Sequence, residues 1–345
     1  MSYNMKPSIF FLGATGYLGS EFLILLARDF PGLQVKALVR NATPEKVAQL
    51  EKIYPGITVV EGTLEDDAVI QEQAQSVDVV INTASSDHSP SVKSTLAGLN
   101  KSAAARPGNP PLYIHISGCG IISDDARGED VDHATIPVVS DIGLDLKKCP
   151  PTNTHLDSDI PIVEAGTRKE NPIRSIIIFP AQIYGVGSGI QKNTLWLRFF
   201  TDFAKKLGYV GTWGKGYNSM NNLHVKDCAN AILLVFKAAL EGRAEEGAEG
   251  LYFAATDAPR IPYREWTKVM GDHLHAQGLI EHPGTRPMPD EVVEPLGHYG
   301  WSLLGGNQFA KPERLARLGW IPTETLRQPL LEALPAAVDE AWKSL

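Results

Sequence analysis

The residues with the clearest chemistry stand near the start of the chain. Gly13-Ala14-Thr15-Gly16-Tyr17-Leu18-Gly19 follows the apolar run IFFL and opens a segment of helical periodicity. In that context each glycine has its own task. Gly13 turns the chain tightly, Gly16 lets the backbone approach a pyrophosphate, and Gly19 lets the helix press on the strand. The N–H groups at the helix start, at the positive end of its dipole, would hold the diphosphate of a dinucleotide. The next apolar run, KALVR, ends in Arg40, followed by Asn41. An acid at this place holds a ribose 2′-hydroxyl, whereas an arginine pairs with a 2′-phosphate. The arginine predicts NADP(H) in preference to NAD(H), which stays possible. The plain alternative is a solvated arginine at a strand end.

Candidates for moving protons lie further along. Ser117 follows a fifth apolar run. His155 and Asp159 are four residues apart, so one helix would place them on one face, with Asp159 orienting His155. Pro161 opposes this, because it cannot donate to the carbonyl of Asp157. The favoured reading makes Asp159 the N-cap of a helix over 160–165, closed by Gly166. Tyr184, in a loop at the sheet's carboxyl edge, is another candidate acid, and packing beneath a cap is its plainer role. Cys119 lies in a glycine turn with no identified base, which suits simple packing. Nine histidines show no HExxH or other ligand spacing, so no metal site is expected.

These residues need elements to position them. Apolar runs at 9–12, 35–39, 57–61, 78–82, 112–117 and 175–179 alternate with helix-like stretches at 17–29, 44–53, 65–75 and 91–105. Continuous runs such as VDVVIN and SIIIF suit strands buried on both faces. The rhythm predicts an α/β fold: a doubly wound parallel sheet (a Rossmann fold) with a smaller, mostly helical C-terminal cap. Residues 121–153 carry seven acids and little periodicity, and read as a solvated excursion over the site's mouth. Later segments 195–207 and 227–240 look helical, and 250–254 looks like a strand. Trp196, Phe199, Phe200 and Phe203 form a helical stripe suited to core, a pocket wall or a dimer contact. The dinucleotide domain is expected over 1–184 plus about 223–256, and the cap over about 185–222 plus 257–345.

Composition sets outer limits. The chain has 345 residues, 43% hydrophobic and 21% charged, with a formal charge of −8. That excess of acid excludes nucleic acid and an anionic membrane as main partners. Three cysteines without CxxC spacing argue against a disulfide framework and for a reducing, cytoplasmic setting. The opening MSYNMKPSIFFLG reads as neither signal peptide nor membrane span. A small molecule is the expected partner, and a homodimer is possible.

GATGYLG, ALVR and NTAS (82–85) together resemble the short-chain dehydrogenase/reductase superfamily. FPAQIYG (179–185), NLHVKD (222–227) and KPERLARLGWIP (311–322) narrow the resemblance to its extended, epimerase-like branch and atypical fungal NAD(P)-binding relatives. The resemblance covers nearly the whole chain. It implies that Gly13, Thr15, Gly16, Tyr17 and Leu18 cradle the diphosphate, and that Arg40 and Asn41 meet the adenosine phosphate. Gly62, Thr63 and Leu64 would lie near adenine, although the family often has Asp where Thr63 stands. Thr83, Ala84 and Ser85 would line the ribose. Ser117 and Gly118 would lie near the nicotinamide, with Pro180, Ala181, Gln182 and Ile183 along its side. His224 and Asp227 would brace the junction to the cap.

The family's catalytic pattern breaks here. Its members pair a Ser or Thr after the fifth strand with Tyr-x-x-x-Lys, whose lysine lowers the phenol's pKa. No tyrosine in this chain is followed four places later by lysine. Counting back from Glu164, the family's common glutamate, gives Leu156 and Ile160 at the two positions, and Gly118 stands at the usual serine. Ser117, His155 and Tyr184 are the remaining candidates for proton transfer. Two classes of function follow. One is an NADPH-dependent reductase of a small carbonyl or enone, or a related epimerase or isomerase, with an unusual proton donor. The other is a non-catalytic nucleotide sensor, like the nitrogen-metabolite regulators of the superfamily.

Overall fold

The computed structural model describes residues 6–344; the first five residues of the opening segment and Leu345 lie outside it. Seven strands form one parallel sheet: β1 (Ser8–Leu12), β2 (Gln34–Val39), β3 (Thr58–Glu61), β4 (Val79–Asn82), β5 (Leu112–Ile116), β6 (Arg174–Pro180) and β7 (Leu251–Ala254). Their spatial order is β7-β6-β5-β4-β1-β2-β3. The order reverses between β1 and β4, which opens a crevice at the carboxyl ends of these two strands.

Both faces of the sheet are covered, as the uninterrupted apolar strands require. Helices α1 (Tyr17–Asp29), α2 (Pro44–Ile53) and α7 (Val225–Leu240) share one core with Ile9, Phe11, Val35 and Ile114. Helices α3 (Asp67–Gln75), α4 (Ser89–Ala105) and α5 (Leu156–Thr167) share the other with Phe10, Leu12, Val80 and Ile177. The predicted start and stop of α1 and α2 agree with the structure. Thr43 caps α2 by accepting the Lys46 N–H, and Pro44 occupies its first turn. The expected helix over 65–75 begins later, at Asp67, because Thr63, Glu65 and Asp66 are engaged in a turn of their own.

A third apolar cluster gathers the remaining helical segments. Helix α6 (Leu195–Leu207), helix α8 (Tyr263–Ala276) and the C-terminal helix Leu330–Lys343 enclose Phe200, Trp213 and Trp266. Phe200 and Trp266 meet edge to face at 4.9 Å, the favoured arrangement of aromatic quadrupoles. The aromatic stripe of α6 thus lies mainly in this core, with Phe199 left 44% exposed.

The acidic stretch 121–153 is not simply solvated. Asp141 is buried and accepts N–H groups from Phe253, Glu313 and Arg314. Asp124 accepts both the backbone N–H and the side-chain amide of Asn307. Two of the seven acids therefore pin this excursion to β7 and to the C-terminal segment. Among the described residues, no helix is long and apolar enough to cross a membrane.

Candidate active site at the carboxyl edge of the sheet

The turn after β1 is built to be tight. Gly13 has φ +89°, and a Cβ there would lie 2.7 Å from the backbone of Thr83 and Ala84. A Cβ on Gly19 would lie 2.0 Å from the Gly13 carbonyl oxygen. Only glycine fits at either place. Gly16 differs: its Cβ would meet nothing nearer than the Gly13 carbonyl oxygen, at 3.2 Å. Thr15 and Gly16 remain half-exposed. Helix α1 begins with no side-chain cap and no acid in its first turn, so its leading N–H groups and dipole are left for an anion. Tyr17 and Leu18 are buried, and the Tyr17 hydroxyl donates to the Gly185 carbonyl at 2.7 Å.

Arg40 follows β2 and is exposed, with no side-chain hydrogen bond among the described residues. Asn41 beside it has a left-handed backbone, φ 51°, and both carbonyls accept from Lys46 Nζ. Gly62 donates to the Val39 carbonyl. Thr63 donates through backbone and hydroxyl to Asp66, which supplies a carboxylate three residues after the family's usual place. Leu64 packs against the core. After β4, the Thr83 hydroxyl donates to the Leu12 carbonyl and the Ala84 N–H to Asn82, while Ser85 stays half-exposed. Pro180 ends β6. Ala181 donates to the Ala254 carbonyl, Gln182 to the Asn221 carbonyl, and the Ile183 carbonyl accepts from the Trp196 indole. The glycine turn and the loops after β4, β5 and β6 thus share the carboxyl edge, with backbone groups fixed and Thr15, Gly16 and Arg40 open. This arrangement fits a bound dinucleotide: a narrow glycine cradle, an uncapped helix start and a free guanidinium.

The turn after β5 shows why the family's pattern breaks. Helix α5 runs unbroken over Leu156–Thr167 with Pro161 inside it. Asp159 is therefore not its N-cap, and Gly166 does not close it. Pro161 falls close enough to the start that the lost hydrogen bond is among the first of the helix. His155 takes the N-cap place with φ 74°, a left-handed conformation unusual for a residue other than glycine. Its ring lies against the turn: a Cβ on Gly118 would be 2.9 Å from His155 Nε2. The missing serine at Gly118 is thus the space that the imidazole fills.

The partners of this histidine were not those expected from spacing. His155 Nδ1 lies 2.7 Å from Asp87 Oδ1, and the Tyr299 hydroxyl donates to Asp87 Oδ2 at 3.1 Å. Burial alone would raise the Asp87 carboxyl, but the hydrogen bonds and charge of His155, with Tyr299, hold it below its ordinary value. Asp159 turns the other way. Its Oδ2 accepts the Ser117 hydroxyl at 2.6 Å, and its Oδ1 lies 3.6 Å from His115 Nε2. Burial pushes the Asp159 carboxyl up to about 7 and His115 down to about 3. Asp87, Tyr299 and His115 were missed from sequence. The alternation Tyr113, His115, Ser117 in an otherwise apolar strand was a usable signal, since period two puts all three on one face.

Tyr184 is turned into the cap. It is 1% exposed, and its hydroxyl donates to the Gln328 carbonyl at 2.8 Å. Burial drives its phenol well above the ordinary value. This corrects its candidacy as proton donor: the hydroxyl is already spent within the cap. Cys119 is buried, its thiol donates to the Phe179 carbonyl, and burial raises its pKa, so it is a packed thiol. His224 caps α7, and Asp227 accepts from the Glu324 N–H and from the backbone and hydroxyl of Thr325, bracing the cap junction. No group of three metal-ligating side chains occurs among the described residues.

Known proteins share parts of this design. Residues 5–99 match the model of the NmrA-like family. Oxidase ucsJ from Acremonium sp is 25% identical over 99% of each chain. The phenylcoumaran benzylic ether reductase IRL1 of Ginkgo biloba is 43% identical over 82 residues, covering 23% of this chain and 26% of the reductase. Among solved structures, dTDP-glucose 4,6-dehydratase from Bacillus anthracis str. Ames, in complex with NAD, superposes with a TM-score of 0.65. It covers 98% of this chain and 99% of its own at 15% identity, a likeness of fold alone. The extended short-chain dehydrogenase/reductase classification read from the motifs fits both the family match and the seven-stranded parallel fold.

Proposed function

We propose that this chain is an NAD(P)(H)-dependent oxidoreductase acting on a small carbonyl or enone compound, with His155 exchanging a proton with the substrate. The observation that carries this reading is the His155–Asp87 pair at the turn after β5, with Nε2 facing the glycine that replaces the family's serine. Asp87 accepts the Nδ1 proton and so fixes the ring's tautomer and orientation. The Nε2 nitrogen is then the end that gives or takes a proton. A bound reduced dinucleotide would supply hydride. The protein's part is to hold the dinucleotide on the N–H groups of α1, orient the substrate and move the proton. Similarity to an oxidase along the whole chain supports the redox class, and the free guanidinium of Arg40 supports NADP(H) as the preferred form.

The test is NADPH oxidation against a panel of aldehydes, ketones and enones. His155→Ala should lose about 10²–10⁴-fold in turnover while still binding NADPH. Turnover equal to the unaltered protein would refute His155 as the proton-exchanging group. Arg40→Ala should weaken NADPH and leave NADH binding unchanged; equal affinities in both proteins would refute the preference. A sensor is the second reading, favoured by Leu156 and Ile160 at the positions of the family's tyrosine and lysine. Tight NADPH binding with no turnover on any compound would decide for it.

A further inference from the structure

His155 and Asp87 account for one side of the turn after β5, but not for the buried acid on its other side. Ser117 is half-exposed at the carboxyl edge, and its hydroxyl is 2.6 Å from Asp159 Oδ2. Asp159 itself is wholly buried in the first turn of α5. Its other oxygen and His115 Nε2 have no hydrogen-bond partner among the described residues, and neither do the hydroxyls of Thr154 and Ser158 at the start of the same helix. A carboxylate left with one hydrogen bond in such a place is costly, so it favours its neutral form.

We propose that Ser117 and Asp159 form a second acid–base couple of this site, in which the protonation of Asp159 sets the direction of the Ser117 hydroxyl proton. With Asp159 ionised, Ser117 donates to Oδ2 and presents only lone pairs toward the site. With Asp159 protonated, its O–H donates to Ser117 Oγ, and the serine proton is free to point at a substrate oxygen. In reduction of a carbonyl compound, a reduced nicotinamide dinucleotide held at the start of α1 would supply hydride to the carbonyl carbon. The freed Ser117 hydroxyl then donates a hydrogen bond to the developing oxyanion, while His155 gives its Nε2 proton to complete the alcohol, and Asp159 keeps its own proton. Asp159 never touches the substrate, so it is a positioning residue. This inference rests on the oxidoreductase reading above.

The groups facing Asp159 are Ser117, His115 and Tyr113 from β5 and its turn, His155 at the start of α5, Asp87 after β4, and Cys149. Burial raises its carboxyl to about 7, the Ser117 hydrogen bond and the charge of His155 lower it, and Asp87 raises it.

Infrared spectroscopy of the full chain without cofactor is the direct test. A protonated carboxylic acid stretch, slow to exchange with deuterium, should disappear as pH rises through neutrality and be absent from Asp159→Asn. In Ser117→Ala, which keeps the buried acid, the same transition should move to higher pH, because a hydrogen bond to the charged form is lost. A carboxylate ionised throughout the range, or a transition that Ser117→Ala leaves in place, would overturn the couple. Ser117→Ala also serves if Asp159→Asn fails to fold. Failure of the oxidoreductase reading is distinguishable: it appears as loss of NADPH binding or turnover, while the carboxyl signal is read without either.

Discussion

Replacing Asp159 with asparagine should change how stability depends on pH, and the size follows from the burial of one carboxyl. In the folded protein burial pushes the Asp159 carboxyl up to about 7, against about 3.9 in an unfolded chain. Between these values the folded state binds a proton that the unfolded state has lost. The stability this confers is full below the unfolded value and disappears as pH rises through the folded one. From pH 5 to pH 8 the difference integrates to roughly two pH units of one proton, or about 2–3 kcal/mol lost by the unaltered protein. His115 works in the opposite sense. Burial lowers it to about 3, so its contribution is present above the unfolded value of 6.5 and falls on acidification. The two effects largely cancel in the natural chain. Asp159→Asn removes one of them and leaves His115, whose shift arises from burial, His155 and Asp87. Urea unfolding of both proteins at pH 5 and pH 8 reads the result. The stability of the variant relative to the natural chain should rise by about 2–3 kcal/mol between the two pH values. A relative stability constant within about 0.5 kcal/mol would mean that Asp159 is ionised like a surface carboxyl, and the reasoning would fail.

Two further substitutions test other parts of the structure. Gly118→Ala places a methyl group 2.9 Å from His155 Nε2; turnover should fall at least about tenfold with little change in melting temperature, and unchanged kinetics would show that the ring is not held there. Asp141→Ala strands the N–H groups of Phe253, Glu313 and Arg314, so urea unfolding should show a loss of about 2–4 kcal/mol, whereas a loss under about 0.5 kcal/mol would make Asp141 a surface residue in effect.

The sheet and the glycine turn were legible in sequence because the signals there are local. Unbroken apolar runs specify strands covered on both faces, and Thr43-Pro44 specifies a helix start within four residues. The turn after β5 was not legible, because its chemistry is assembled from four separated segments. His155 and Asp159 are four apart and suggest a pair, yet they point to Asp87 and Ser117, each found only once the loops after β4 and β5 are in place. Pro161 argued for a later helix start; packing of Leu156, Ile162 and Ala165 into the core outweighs the single hydrogen bond it removes. Asp141 carries no local sign of its burial, because its partners, more than a hundred residues away, lie on β7 and at the start of a short C-terminal helix.

Gly16→Val tests the account where it is most exposed. Gly13 and Gly19 cannot be changed without backbone collision, but a Cβ at Gly16 would meet only the Gly13 carbonyl oxygen, at a tight 3.2 Å, and φ there is an ordinary −74°. The altered protein should still fold cooperatively, with a small drop in melting temperature from the tight contact and the weaker N-cap. Titration calorimetry with NADPH should then show binding to the natural chain and affinity at least about tenfold weaker in the variant, a loss of about 1.4 kcal/mol or more, because the added side chain fills the place of the diphosphate. Equal affinity in the two proteins, or no binding by either, would contradict the assignment of this edge of the sheet as a dinucleotide site.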